Sequence, residues 1–138
     1  EMKKKLGEEQ IRIFRRSWDT PPDPLNINSP YHPSNIEIYN GIPKEKLPNT
    51  ESLKDTYERV IPYYKDEIQS KLEKNIVVSA HGNSIRSICK FLFNLNNSEI
   101  TKLEIPTGNP LILTFDENKN LTGAKYLDQS RAKDLIKF

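Results

Sequence analysis

VVSAHGNSIR, residues Val77–Arg86, changes character halfway along. With Ile76 ahead of it, the apolar run Ile76–Ala80 predicts a short strand of the kind that α/β sheets bury on both faces. Ile85, Ile88, Cys89 and Leu92 then recur at helical spacing and predict a helix over Ser84–Leu92. His81, Gly82, Asn83 and Ser84 fall at the handover. In open α/β sheets ligands bind beyond the carboxyl ends of strands, and a following helix points unpaired N–H groups at them. His81 brings an imidazole that donates a hydrogen bond or carries charge near neutrality. Gly82 permits a sharp turn or a close approach. Asn83 adds an amide donor, and Ser84 a helix cap or a hydroxyl donor. Together these residues suit a phosphate or a carboxylate. The competing reading makes Gly82 and Ser84 an ordinary turn and His81 a buried, satisfied histidine. A nucleophilic Ser84 has no G-x-S-x-G elbow around it.

Upstream, Leu53, Tyr57, Val60, Ile61, Tyr64, Ile68 and Leu72 step by three and four. They predict one amphipathic helix, capped by Asn49 or Thr50 and bent at Pro62, which cannot donate back to residue 58. Residues 19–50 hold seven prolines among scattered aromatic and aliphatic anchors, which predicts a long ordered loop of the lid or binding type. Residues 2–18 carry a helical pattern that ends in Arg15 and Arg16. Two guanidinium groups in succession before a rigid Pro-Pro loop can clamp a small dianion; the alternative is a solvated helix end that suits the dipole.

Downstream, a short helix capped by Asn97 or Ser98 runs through Lys102. The turn-rich IPTGNP (Ile105–Pro110) follows, and it reads mainly as structural. Strands are expected at Leu111–Phe115 and Gly123–Leu127, paired as a hairpin, and a last helix near Asp128 carries Leu135 and Ile136. This order is α/β. Three strands are few for a central sheet, so further strands are expected outside the chain.

Bulk properties narrow the partners. The 138 residues fit one domain, but the 35% apolar content and mean hydropathy of -0.73 are lean for a complete core. A net charge of +2 with no basic stripe argues against nucleic acid, and no stretch is long enough to span a membrane. A single cysteine, Cys89, excludes an intrachain disulfide framework and fits a reducing compartment, so a cytoplasmic location is expected. The histidines are His32 and His81, so no metal-ligand cluster stands out. Position 1 is Glu rather than Met, inside a helical pattern, which leaves room for preceding chain.

Four stretches carry a resemblance: GEEQIRIFRRSWDTPP (Gly7–Pro22), LPNTESLKDTYERVIPYY (Leu47–Tyr64), VVSAHGNSIRSICKFL (Val77–Leu92) and EIPTGNPLILTFDEN (Glu104–Asn118). In this order they resemble the cofactor-dependent phosphoglycerate mutases of the histidine phosphatase superfamily, over nearly the whole chain. The resemblance implies part of a three-layer domain, with a central, mostly parallel sheet flanked by helices. It implies interconversion of 3-phosphoglycerate and 2-phosphoglycerate through a phosphohistidine primed by 2,3-bisphosphoglycerate, without a metal. Arg15 and Arg16 match the family's arginine pair on substrate and cofactor, His81 its second histidine, and Gly82 and Asn83 its ligand-contacting pair. A homodimer or homotetramer is implied as well. The family's nucleophile sits in an Arg-His-Gly motif that these 138 residues lack, and its acid–base glutamate also lies upstream. The chain, residues 1–138, therefore resembles the C-terminal three fifths of a single mutase domain, and by itself is expected to be inactive. A bisphosphoglycerate mutase or phosphatase of the same superfamily is the enzyme alternative. A non-catalytic fragment or anion-binding module is the alternative from another class.

Overall fold

Gly7, at a φ of 80°, starts helix α1 (Glu8–Arg16). The computed structural model describes residues 6–132, and the chain divides into two compact units, Glu1–Leu53 and Lys54–Phe138. In the first unit, α1 places Glu8 and Glu9 in its first turn and Arg15 and Arg16 in its last, each sign matched to the helix dipole. Ser17 ends the helix in an extended conformation, its N–H donating to the Ile13 carbonyl at 2.8 Å. The apolar pattern of residues 2–18 is thus interrupted at Gly7, and its helix ends at Arg16 rather than at Trp18. Residues 1–5 of that pattern lie outside the described residues.

The proline-rich loop is ordered by its own hydrogen bonds. Single 3-10 turns form at Pro33–Asn35, Glu37–Tyr39 and Lys44–Lys46. His32 is buried at their start. Its Nδ1 accepts from the Ser34 N–H at 3.2 Å, which leaves the ring proton on Nε2, 2.7 Å from the Asn49 Oδ1 that accepts it. Asn35 Nδ2 donates to the carbonyls of Ile27 and Ser29. The Leu25 N–H donates to Asn49 O, and Thr50 Oγ1 to Pro22 O, closing the base of the loop. A segment this rich in proline has few backbone donors, so side-chain amides and hydroxyls complete its hydrogen bonding.

Helix α2 (Leu53–Tyr63) stops being α-helical one residue after Pro62. A π turn follows at Tyr64–Ile68 and a 3-10 turn at Gln69–Lys71. Pro62 has no N–H to donate and its ring crowds the residue 58 carbonyl, so the ladder loosens there. The expected bend is therefore a change of helix type. Helix α3 (Gly82–Leu92) and the one-turn helix α4 (Asn97–Ile100) come next. Asn96 caps α4, one residue earlier than expected, in a reciprocal box with Glu99.

Strands β1 (Leu111–Phe115) and β2 (Leu121–Tyr126) form the expected antiparallel hairpin, with Leu111 opposite Tyr126 and a bulge beside Phe115. Asp116 organises the turn by accepting from the N–H and Nδ2 of Asn120 at 2.8 and 3.0 Å. The core of this second unit is Ile61, Tyr64, Ile88, Cys89, Phe93, Leu95, Ile100, Leu103 and Tyr126, all buried. The expected last helix falls mostly outside the described residues; its described start is a 3-10 turn, Gln129–Arg131, capped by Asp128.

One expectation is corrected. Ile76–Ala80 is not a buried strand: it has no regular secondary structure, and Val77 is 95% exposed. The run has strand propensity but no backbone hydrogen bond to any described residue, and a strand exists only through its pairing. Among the described residues the only sheet is the two-stranded hairpin, so the chain is α/β but shows no parallel sheet there.

Candidate functional site

The junction at His81 has the anticipated local form in one respect: a helix begins there. His81 is the N-cap of α3, extended at φ −64° and ψ 150°, and its side chain does not cap the helix. The first-turn N–H groups of Gly82, Asn83 and Ser84 therefore meet no capping side chain, and the positive end of the helix dipole is open. His81 is exposed, and its imidazole makes no hydrogen bond with any described residue. Among the described residues, His81 is therefore not the buried, satisfied histidine of the alternative reading. Gly82 is helical rather than left-handed, and a Cβ built on it would meet nothing within 4 Å. No turn demands a glycine here; what its absent side chain provides is open space over the backbone.

Asn83 is exposed but held. Its backbone carbonyl accepts from Ser87 Oγ at 2.9 Å, and its Oδ1 accepts from Arg86 Nη1 at 3.2 Å. Arg86 is itself 4% exposed, and its Nη2 donates to the Ile100 carbonyl at 2.6 Å. Sequence reading passed over this arginine, although it closes the opening stretch. The signal was an arginine between Ile85 and Ile88 on the apolar side of a helix, one turn beyond Asn83.

Arg15 and Arg16 stand together in the last turn of α1, in the first unit, while His81, Gly82 and Asn83 belong to the second. Arg15 is exposed and Arg16 half-buried. Thr107 and Gly108 present their carbonyls to the Arg131 guanidinium, which fixes the IPTGNP turn, and the Asn109 amide donates to the Asp128 carbonyl and accepts from its N–H. That stretch is structural, as anticipated.

Beside the junction lies an open cavity of about 350 Å³, lined by Val60, Tyr64, Ile68, Ala80, Ser84 and Ile88 among others. Its walls are mostly apolar, with Arg59 contributing one guanidinium. Cys89 is buried, and burial pushes its thiol up to about 12, so it is no nucleophile near neutrality. Burial also lowers Lys90, opposed by nearby Glu99. Among the described residues no group of His, Cys, Asp and Glu is placed to hold a metal ion, and no helix is long and apolar enough to cross a membrane.

An exposed imidazole, a bare glycine backbone, a fixed amide and an uncapped helix start thus lie in succession where an irregular segment enters α3. The model of the histidine phosphatase superfamily (branch 1) matches residues 26–124, and the chain belongs to that superfamily. It is 65% identical over 140 aligned residues to a protein of Pelagibacter ubique (strain HTCC1062) named 2,3-bisphosphoglycerate-dependent phosphoglycerate mutase, covering 100% of this chain and 59% of the relative. Proteins of the same name from Maricaulis maris (strain MCS10) and Hydrogenobaculum sp. (strain Y04AAS1) are each 46% identical, over 98% and 99% of this chain. The chain spans only 57% and 56% of those two relatives.

Proposed function

We propose that the complete protein is a cytoplasmic phosphoglycerate mutase that interconverts 3-phosphoglycerate and 2-phosphoglycerate, with 2,3-bisphosphoglycerate as cofactor. The observation that carries the reading is the 65% identity to the Pelagibacter ubique mutase across the whole of this chain. The donor chemistry fits a phosphate ester: His81, Gly82, Asn83 and Ser84 offer imidazole, backbone, amide and hydroxyl donors with no carboxylate among them. When bound, 2,3-bisphosphoglycerate supplies the phosphoryl group that primes a histidine outside this chain.

In this reading His81 donates to an oxygen of the transferring phosphoryl group, where negative charge develops. The N–H groups at Gly82 and Asn83 hold the same oxygens at the helix start, at no reorganisation cost during the step. Arg15 and Arg16 bind the remaining charged groups of substrate and cofactor. None of these residues is assigned the covalent step. Chain 1–138 is then the C-terminal part of one mutase domain. The unpaired run Ile76–Ala80 joins a mostly parallel sheet whose other strands lie outside the chain, and the functional protein is a homodimer or homotetramer.

The test is a product assay on the complete protein with 3-phosphoglycerate, with and without catalytic 2,3-bisphosphoglycerate. Formation of 2-phosphoglycerate, accelerated by the bisphosphate, is expected. Inorganic phosphate as the sole product would instead assign a phosphatase of the same superfamily.

A further inference from the structure

We propose that Arg86 is a positioning residue that makes Asn83 a hydrogen-bond donor toward the bound phosphoglycerate. The proposal rests on the function above and adds a residue to its site. An asparagine side chain presents a carbonyl or an NH₂ group with nearly equal ease, and only its neighbours choose between them. Here the neighbour is a guanidinium, which can only donate. Nη1 of Arg86 lies 3.2 Å from Asn83 Oδ1, so the carbonyl end faces inward and Nδ2 is turned away from Arg86. Without that contact the amide could rotate and offer an acceptor to an anion, which would repel it.

The arginine is itself anchored. It is almost fully buried on α3, and its Nη2 donates at 2.6 Å to the carbonyl of Ile100, a residue with no exposure at the end of α4. The Asn96–Glu99 capping box fixes the start of that short helix. Ser87 Oγ, also fully buried, holds the Asn83 backbone carbonyl at 2.9 Å. Asn83 is thus held from within the helix through its side-chain and backbone oxygens, while the residue stays exposed and its NH₂ group is not the end that faces Arg86. A lysine at position 86 carries the charge but cannot bridge Oδ1 and the Ile100 carbonyl in one planar fork.

The experiment is a double-mutant cycle in the complete protein. It reads KM and kcat by turnover, Kd for 3-phosphoglycerate by calorimetry, and Tm. Arg86→Lys is expected to raise KM and Kd by about tenfold, the worth of one charge-assisted hydrogen bond, and to change kcat by less than about threefold. In an Asn83→Ala background the same change should weaken binding by less than about twofold, because Arg86 then has no amide to orient. Asn83→Asp leaves the buried arginine in place and gives it a carboxylate. Its Tm should equal or exceed that of the wild type, while 3-phosphoglycerate binds at least about tenfold more weakly. An Arg86→Lys effect of full size in the Asn83→Ala background, or an Asn83→Asp protein that binds as the wild type does, would overturn the proposal. If the wild type binds 3-phosphoglycerate without forming 2-phosphoglycerate, the mutase reading fails and the cycle in Kd still decides the role of Arg86. No binding at all would remove both.

Discussion

A methyl group added to Gly82 would meet no protein atom, and the position has helical backbone angles. Gly82→Ala should therefore leave Tm unchanged or slightly raised, since alanine in a helix gains up to about 1 kcal/mol over glycine. If an anion sits against this backbone, the same methyl should raise KM for 3-phosphoglycerate about tenfold or more. Equal KM values for variant and wild type would show that nothing approaches Gly82. Cys89 gives a prediction of another kind. Burial pushes its thiol from 9.0 up to about 12, and burial also pushes the Tyr126 hydroxyl from 10.0 up to about 12. Both folded pKa values are raised, so the unfolded chain loses these protons first as the pH climbs. Stability is fully present below pH 9 and falls progressively toward pH 12. Denaturant titrations at pH 8 and pH 10.5 should show that loss, and Cys89→Ala should show a smaller one. At this scale the helix start at Gly82 was legible, because a glycine and small polar residues ahead of a helical apolar pattern mark such a start. Arg86 was not legible, because its role depends on a carbonyl fourteen residues away in sequence.

Helices and the hairpin could be read from periodicity and turn chemistry, and Pro62 marked where α2 changes. The π turn at Tyr64–Ile68 was not readable, since local pattern shows that a ladder must break but not how it re-forms. Pro62 is exposed, so Pro62→Ala removes a ring without opening a core cavity. It should restore α-helical pairing and stabilise the fold by about 1 kcal/mol or more. Circular dichroism and thermal melts check this; a lower Tm would mean that the π turn is required by its surroundings. The order within residues 19–50 was legible from anchors among the prolines. The role of His32 there, linking Ser34 to Asn49, was not, because a lone histidine carries no record of its partners. Ile76–Ala80 shows the limit most plainly. β-branched composition states what a segment can become, and pairing decides whether it does.

Taken whole, the chain divides into two compact units where the sequence predicts a single domain, with Arg15 and Arg16 in the first and His81, Gly82 and Asn83 in the second. Superfamily membership rests on residues 26–124, and the relatives extend well beyond the length matched here. The proposed function divides the labour: His81 would stabilise the transferring group, and a histidine outside Glu1–Phe138 would accept it. The most direct test treats the complete protein with 2,3-bisphosphoglycerate labelled with radioactive phosphorus, followed by proteolysis and peptide mapping under conditions that preserve phosphohistidine. The label should appear on one peptide outside Glu1–Phe138, with the peptide containing His81 unlabelled. Label on His81 would contradict the account.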